Sequence, residues 1–433
     1  MNNANLQSLK KGIWLYFILL IVEGGLRRWF LPSLATPLLI IRDPLAAFLL
    51  FNAIRFNVFP KDKLIPVMFS IGIISVFTTL FFGHGDLAVA LFGSRILLIQ
   101  FPMLFLIGRI FDWYDVLRMG KVILWISIPM AILITLQFYS PQTAWVNKGL
   151  GESMDTAGFS GSGDYFRPPG TFSFITGVSS FFGLVACFVF YFWLQPKYVN
   201  RILLVSATIA LIVAIPTSIS RTLFFEVILS LLFFLWAKSN QSGFLKNAAQ
   251  LLVAFVLLTV LFLNVNALNT QIGAFTDRFI SANEAEGGLN GVFIDRFLGG
   301  LVGAFMDIDD SHAIFGQGIG MGTNVGAQLL SGKTTFLIAE GEWGRTIGES
   351  GLVLGLLIIL IRISMAFSIT IKCYTFLKKG DALPWMLLSF GFLMLLQGGW
   401  AQPTLLGFYV LIGGLILATL KNPMVLQIKE DKK

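Results

Sequence analysis

The sequence predicts an all-α polytopic membrane protein with about 12 transmembrane helices and a large extracytoplasmic loop between spans 9 and 10. Three observations carry this. Hydrophobic residues make up 56% of the chain, charged residues only 12%, and an ordinary soluble domain holds roughly twice that charged fraction. Mean hydropathy is +0.80. Apolar runs of roughly 20 residues, the length that crosses a bilayer, recur from end to end. The 43 Phe and 10 Trp suit lipid-facing surfaces and interfacial belts.

Spans are expected near 12–31, 34–54, 64–82, 87–108, 119–139, 170–194, 200–217, 219–237, 244–264, 347–371, 382–398 and 402–420. Lys10 and Lys11 precede the first apolar run in the manner of a signal sequence. No small-residue cleavage site follows, so that run reads as an uncleaved first span. Ser218–Arg221 and Gly398–Gly399 each divide a stretch too long for one tilted helix. The whole of 1–433 reads as one membrane domain, with 265–346 inserted as a loop domain. A loop that long in a compact protein is usually functional.

The formal charge of +8 would suit nucleic acid, but the basic residues sit in short loops between apolar runs. Orientation accounts for them better. With the N-terminus inside, 19 Lys and Arg fall on inner segments against 9 on outer ones, and four of those nine lie in the long loop. Both termini are therefore expected in the cytoplasm, with 140–169 and 265–346 outside. Cys187 and Cys373 fall in or beside apolar runs and have neither disulfide nor metal spacing.

Arg42, Arg95 and Arg362 remain inside spans. Intramembrane charge is expensive and faces a cavity or a partner. Arg42 and Arg95 fall in outer halves, level with Arg27, Arg28 and Arg221, while Arg362 falls in an inner half and reads as structural. Glu23 and Arg27 are spaced i,i+4, and Asp43 adjoins Arg42. Two readings stay open: salt bridges tying helix ends together, or a basic cavity that receives an anion through bidentate guanidinium bonds.

Several motifs fail on inspection. Gly316–Gly322 is superficially like a dinucleotide loop but lacks a preceding strand pattern, so it reads as a close-packed turn. Ser331-Gly332-Lys333-Thr334 lacks the first glycine of a phosphate loop, because Ala327 stands there. Asp307–Asp310 reads as a solvated turn rather than a cation site. His84 and His312 have no metal-spaced partners. No metal and no cofactor are expected.

Glu340 to Gly351 opens the tenth expected span, and Glu342, Arg345 and Glu349 share a helix face. This is either a well-capped helix start with a Glu–Arg–Glu ladder or a base and a phosphate-binding arginine held at the membrane surface.

With these residues in hand, the chain resembles the O-antigen ligase/polymerase superfamily, closest to the Wzy-type polymerases. Arg167-Pro168-Pro169-Gly170-Thr171-Phe172 looks like the family's Arg-x-x-Gly-x-Phe entry to a central span. Ser220-Arg221-Thr222 looks like its serine–arginine turn. Phe315–Gly320 and then Glu340–Gly355 look like its glycine turn and the acidic helix after it. The likeness covers most of residues 10–420. Ligases of this superfamily carry a histidine eleven residues before a glycine; counting back from Gly351, that position holds Glu340, which favours the polymerases.

The resemblance implies a bacterial inner-membrane glycosyltransferase, metal-independent because arginines supply the positive charge, acting in the outer leaflet on an undecaprenyl-pyrophosphate-linked oligosaccharide. It implies transfer of glycan to a sugar hydroxyl of a lipid-linked acceptor, beside membrane lipid and a chain-length regulator or flippase of the same pathway. Arg167 and Arg221, with Arg42 and Arg95, would offset charge on the pyrophosphate. Glu342 or Glu340 would take the acceptor's proton, and Arg278 and Arg345 would anchor donor phosphates or the loop. An O-antigen ligase is the near alternative. A secondary transporter of an anion is the distant one, though no related halves are visible, and a non-catalytic scaffold would not need arginines in outer halves of spans.

Overall fold

The computed structural model describes residues 3–150, 160–162, 165–239, 269–285, 314–332, 337–338 and 341–422. The expected span 244–264, Glu340, Asp307–Asp310 and His312 lie outside them. The described chain is almost entirely helical; its one small sheet pairs Ser160–Ser162 with Tyr165–Phe166.

The helices, in chain order, are α1 (Asn3–Gly25), α2 (Ala35–Leu38), α3 (Arg42–Arg55), α4 (Leu64–Phe82), α5 (Leu87–Arg95), α6 (Phe101–Ile110) and α7 (Trp113–Tyr139). There follow α8 (Thr176–Leu194), α9 (Arg201–Thr217), α10 (Arg221–Ser239), α11 (Asn269–Ala285), α12 (Asn324–Ser331), α13 (Glu342–Lys378), α14 (Leu383–Gln397) and α15 (Pro403–Thr419). Among the described residues, six helical stretches are long and apolar enough to cross a membrane, or seven if the bent pair Pro32–Leu38 and Arg42–Arg55 is one span. α9, α14 and α15 are apolar but shorter. The chain is a helical, membrane-embedded protein on that ground, and its outward surface agrees: Phe81, Ile202 and Phe48 are each at least 60% exposed.

Polar caps set the helix ends. Asp112 and Asp115 form a reciprocal capping box at the start of α7, each carboxylate accepting the other's backbone N–H at 3.0 Å. Lys10 of α1 pairs with both. Asp86 and Asn200 cap α5 and α9. At the centre, α6 and α15 approach closely because glycine faces the partner helix. Gly413 and Gly414 meet Leu104 and Ile107, and Gly108 meets Leu417. Small residues at such crossings let backbones come together where no hydrophobic drive operates between lipid-bathed helices.

Four expectations are corrected. The span expected at 170–194 begins as a helix only at Thr176, because residues 170–173 dock against α1: a Cβ on Gly24 would overlap the Phe172 and Ser173 backbone. The span expected at 34–54 is bent by 42°. The first span does not continue as α-helix but winds into a π-helical turn at Leu26–Phe30, and a second such turn, Ile96–Gln100, joins α5 to α6. The span expected at 347–371 belongs to α13, which is broken at Gly351 (φ 74°, ψ 175°).

Candidate functional site

The break at Gly351 builds the first of two buried charge networks. A Cβ there would overlap Ile314 O, and φ is in the left-handed region, so glycine is required twice over. Beyond it the chain doubles back. A Cβ on Gly355 would lie 2.8 Å from Ile347 Cα, so the segment before the break packs on the segment after it. Glu342 and Arg362 would be about 30 Å apart on a straight helix; here Arg362 Nη1 donates to Glu342 Oε1 at 2.9 Å. Glu342 is therefore level with Arg362, not held out at the expected surface.

Glu342 is saturated. Its Oε1 accepts from Arg345 Nη2 (2.8 Å) and Arg362 Nη1, and its Oε2 from Arg345 Nε (3.1 Å) and the Trp400 backbone N–H (3.0 Å). Arg345 Nη1 donates to Glu349, so all three of its nitrogens are engaged. Glu349 Oε1 in turn accepts the Gly322 N–H at 2.8 Å. Arg362 lies over the Trp400 ring (4.1 Å) and donates to Leu395 O and Gly398 O. All four charged side chains are buried, and two cations balance two anions.

The glycine turn closes over this network. Gln317 and Gly318 donate to the carbonyls of Gly348 and Glu349 at 2.8 and 3.0 Å, capping the short helix before the break. Gly316, Gly318 and Gly320 all have positive φ. Across the turn, Ile319 N–H donates to Thr79 Oγ1 and His84 N–H to Gln317 O. Gly316–Gly322 is thus the close-packed turn that its sequence suggests. A small cavity between this turn and α5 is lined by Gly93, Ile319, Arg345, Thr346, Glu349 and Trp400, among others.

The second network gathers Arg27, Arg28, Arg42 and Arg95 with Glu23 and Asp43, all buried. Arg27 pairs with Glu23 at 3.2 Å, as their spacing suggests. Asp43 pairs not with its neighbour Arg42 but with Arg95 (3.1 Å), while Arg42 reaches Glu23 (3.6 Å) and lies over Tyr16. Gln100 donates to Asp43 and accepts from Tyr16 OH at 2.7 Å. Arg28 is 1% exposed and has no carboxylate partner among the described residues; it donates only to Gly170 O and Ser173 O. Among the described residues, four guanidiniums face two carboxylates here, an excess of two positive charges. The Nε groups of Arg27, Arg28, Arg42 and Arg95, and Nη2 of Arg95, have no hydrogen-bond partner among the described residues.

Both π-helical turns lie here. One carries Arg27 and Arg28; the other begins after Arg95 and ends on Gln100. Such turns are rare and concentrate at functional sites. The Arg167–Ser173 segment docks on the end of α1 and on α7: Gly170 N–H donates to Gln137 Oε1 at 2.8 Å, Thr171 Oγ1 donates to Ile21 O, and Ser173 Oγ bridges Glu23 and Arg27. Arg167 itself is half-buried.

The remaining candidates are elsewhere. Arg221 starts α10 after Ser220, whose hydroxyl meets Ser179 Oγ at 2.8 Å. Arg278 lies on α11, whose Phe275 and Phe279 pack on Phe224 of α10, so those two arginines sit on elements that meet at one end. No family model, curated protein or solved structure matches the chain.

Sequence reasoning overlooked Arg28 as a site residue, Gln100 and Tyr16 as its organisers, and Glu226, an acid inside an apolar run. Glu226 was legible as a charge in a span. Nothing local marks the π-helical turns.

Proposed function

We propose that this chain is an outer-leaflet polysaccharide polymerase, transferring glycan from an undecaprenyl-pyrophosphate donor to a sugar hydroxyl of a lipid-linked acceptor. In this reading the chain has the twelve spans inferred from its apolar runs, both termini cytoplasmic and 265–346 external as inferred from loop charge, in the bacterial inner membrane that the resemblance implies. The observation that supports the reading is the cationic network, above all Arg28: a buried guanidinium with no counter-ion among the described residues suits an anionic ligand. A pyrophosphate supplies that charge, and guanidiniums match its oxygens bidentately.

The acceptor hydroxyl oxygen attacks the anomeric carbon, and the bond from that carbon to the phosphate oxygen breaks. The pyrophosphate leaves with the electron pair. Arg28, Arg42 and Arg95 offset its growing charge, with Arg167, Arg221 and Arg278 as further phosphate-binding candidates. The acceptor's proton goes to a carboxylate. Glu342, with both oxygens doubly bonded to donors, serves better as the group that positions Arg345, Arg362 and Trp400, which leaves Glu340 as the base of this reading.

Deletion in the host, followed by gel analysis of surface glycan, tests it. Single-repeat products support a polymerase; full-length chains left on the lipid carrier would make the chain a ligase; unchanged glycan would remove the reading.

A further inference from the structure

Outside both networks, one ionisable group lies among tightly packed helices. Glu226, half-buried as a residue, stands on α10, five residues in from Arg221, and its Oε2 is buried with no hydrogen-bond partner among the described residues. It occupies the hollow left by a missing side chain: a Cβ on Gly183 of α8 would overlap Oε2 and lie 3.0 Å from the Phe390 ring of α14.

The hollow belongs to a polar seam. Ser179, Gly183 and Cys187 recur every four residues on one face of α8, and Glu226 and Ser230 do the same on α10. Ser179 meets Ser220 at 2.8 Å, Ser230 meets Ser389 at 2.8 Å, and Cys187 Sγ lies 3.3 Å from Ser389 Oγ. Of titratable or charged groups facing Glu226, α8 offers Cys187, α14 offers none, and α10 carries Arg221 at its end. Among the described residues no ion pair reaches the carboxyl.

We propose that Glu226 is an intramembrane proton-binding site. An ionised carboxylate without a partner in such surroundings costs several kcal/mol, and a bound proton cancels the charge without needing space that Gly183 and Phe390 do not leave. Loss of the proton would put a bare charge between α8, α10 and α14, so the packing of α10, which carries Arg221, is tied to the protonation of this group. The inference does not rest on the glycan-transfer reading, since it uses neither charge network.

A hydrophobic carbodiimide tests it on the purified, full-length protein. N,N′-dicyclohexylcarbodiimide takes the carboxyl proton on nitrogen while the carboxylate oxygen bonds its central carbon; the adduct rearranges to a stable N-acylurea and nothing leaves. At pH 8 an ordinary glutamate keeps its proton in only about 1 of 10³–10⁴ molecules, so labelling there reports a held proton. Peptide mass spectrometry should find the adduct on Glu226 and not on exposed Asp62, at equal rates in sodium and potassium chloride. Glu226→Gln, a neutral isostere, should abolish the adduct and keep the wild-type melting temperature. Gly183→Ala should displace the carboxyl and change its labelling rate at least several-fold. Labelling of Glu226 no faster than of Asp62 overturns the proposal. So does protection by sodium alone, which would make the occupant a metal ion, or a large drop in melting temperature in Glu226→Gln, which would mean the charge itself is needed.

Discussion

Two buried charge networks sit in this protein, and they differ in balance. Around Glu342 every charge has a partner: two arginines, two carboxylates, and donors on each oxygen of Glu342. Among the described residues around Arg28 the cations outnumber the anions by two, and five guanidinium N–H nitrogens have no partner. A saturated network holds structure together and offers nothing to a ligand. An unsaturated one is costly to maintain unless something else completes it. The motif with the most acidic sequence is therefore closed on itself, and under the proposed function the arginines at helix ends are the groups that would meet an anion.

The largest effects should come from the balanced side. Gly351→Ala adds backbone strain of about 1–3 kcal/mol at a positive φ with extended ψ and a collision with Ile314 O that only a backbone shift relieves. Without the fold-back Glu342 cannot reach Arg362, so the expected outcome is no monodisperse protein on size-exclusion chromatography; a normal profile would mean the two halves of α13 meet by other means. Arg362→Met leaves Glu342 short of a buried cationic partner and should cost about 3–5 kcal/mol, read as a lowered melting temperature in detergent. Adding Glu342→Gln should recover part of that loss, as expected for a coupled pair.

On the cationic side the same kind of change should do little. Arg28→Gln removes a buried charge that no carboxylate compensates, at the expense of hydrogen bonds to Gly170 O and Ser173 O. Stability should stay within about 1 kcal/mol of wild type. A loss as large as that of Arg362→Met would erase the distinction between the two networks.

How much of this was written in the sequence depends on range. Leu64–Phe82 coincides with its expected span, because a bilayer-length apolar run between polar flanks is a local signal. The Glu342–Arg345–Glu349 ladder was legible for the same reason, being set by i,i+3 and i,i+4 spacing. The fold-back was not. The helix expected to open at Glu340–Gly351 and continue through the span 347–371 carries no sign of a break in its sequence, and the break needs Gly351 together with Ile314, far away in the chain. Nor was the exchange of partners between Arg42 and Arg95, which is decided by how α1, α3 and α5 meet rather than by neighbours in sequence. Arg28 looked like an ordinary helix-end arginine at an interface, and only the docking of Gly170–Ser173 buries it.

The smallest expected effect lies outside both networks, at the far end of α15. Lys421 donates to Gly108 O, and burial, with Arg109 adding to it, lowers its pKa to about 8 from 10.5. Between those values the unfolded chain binds more protons than the folded one, so stability should rise with pH from about 8 toward 10.5. Because the group is partly solvated, the gain should be at most about 1 kcal/mol. Lys421→Met should flatten that part of a melting-temperature-against-pH curve; an unchanged slope would assign it to another group.

The central claim is that the Arg28 network is a seat for a pyrophosphate while the Glu342 network is closed. Thermal unfolding of the purified protein with a short-chain polyprenyl pyrophosphate measures this directly, with the matching polyprenyl alcohol as control. At 100 times its dissociation constant a ligand stabilises the folded state by about 2.7 kcal/mol. The account predicts a rise in melting temperature with the pyrophosphate and none with the alcohol, lost in Arg28→Gln and kept in Glu342→Gln. An equal rise in wild type and Arg28→Gln, or a rise lost in Glu342→Gln alone, would contradict it.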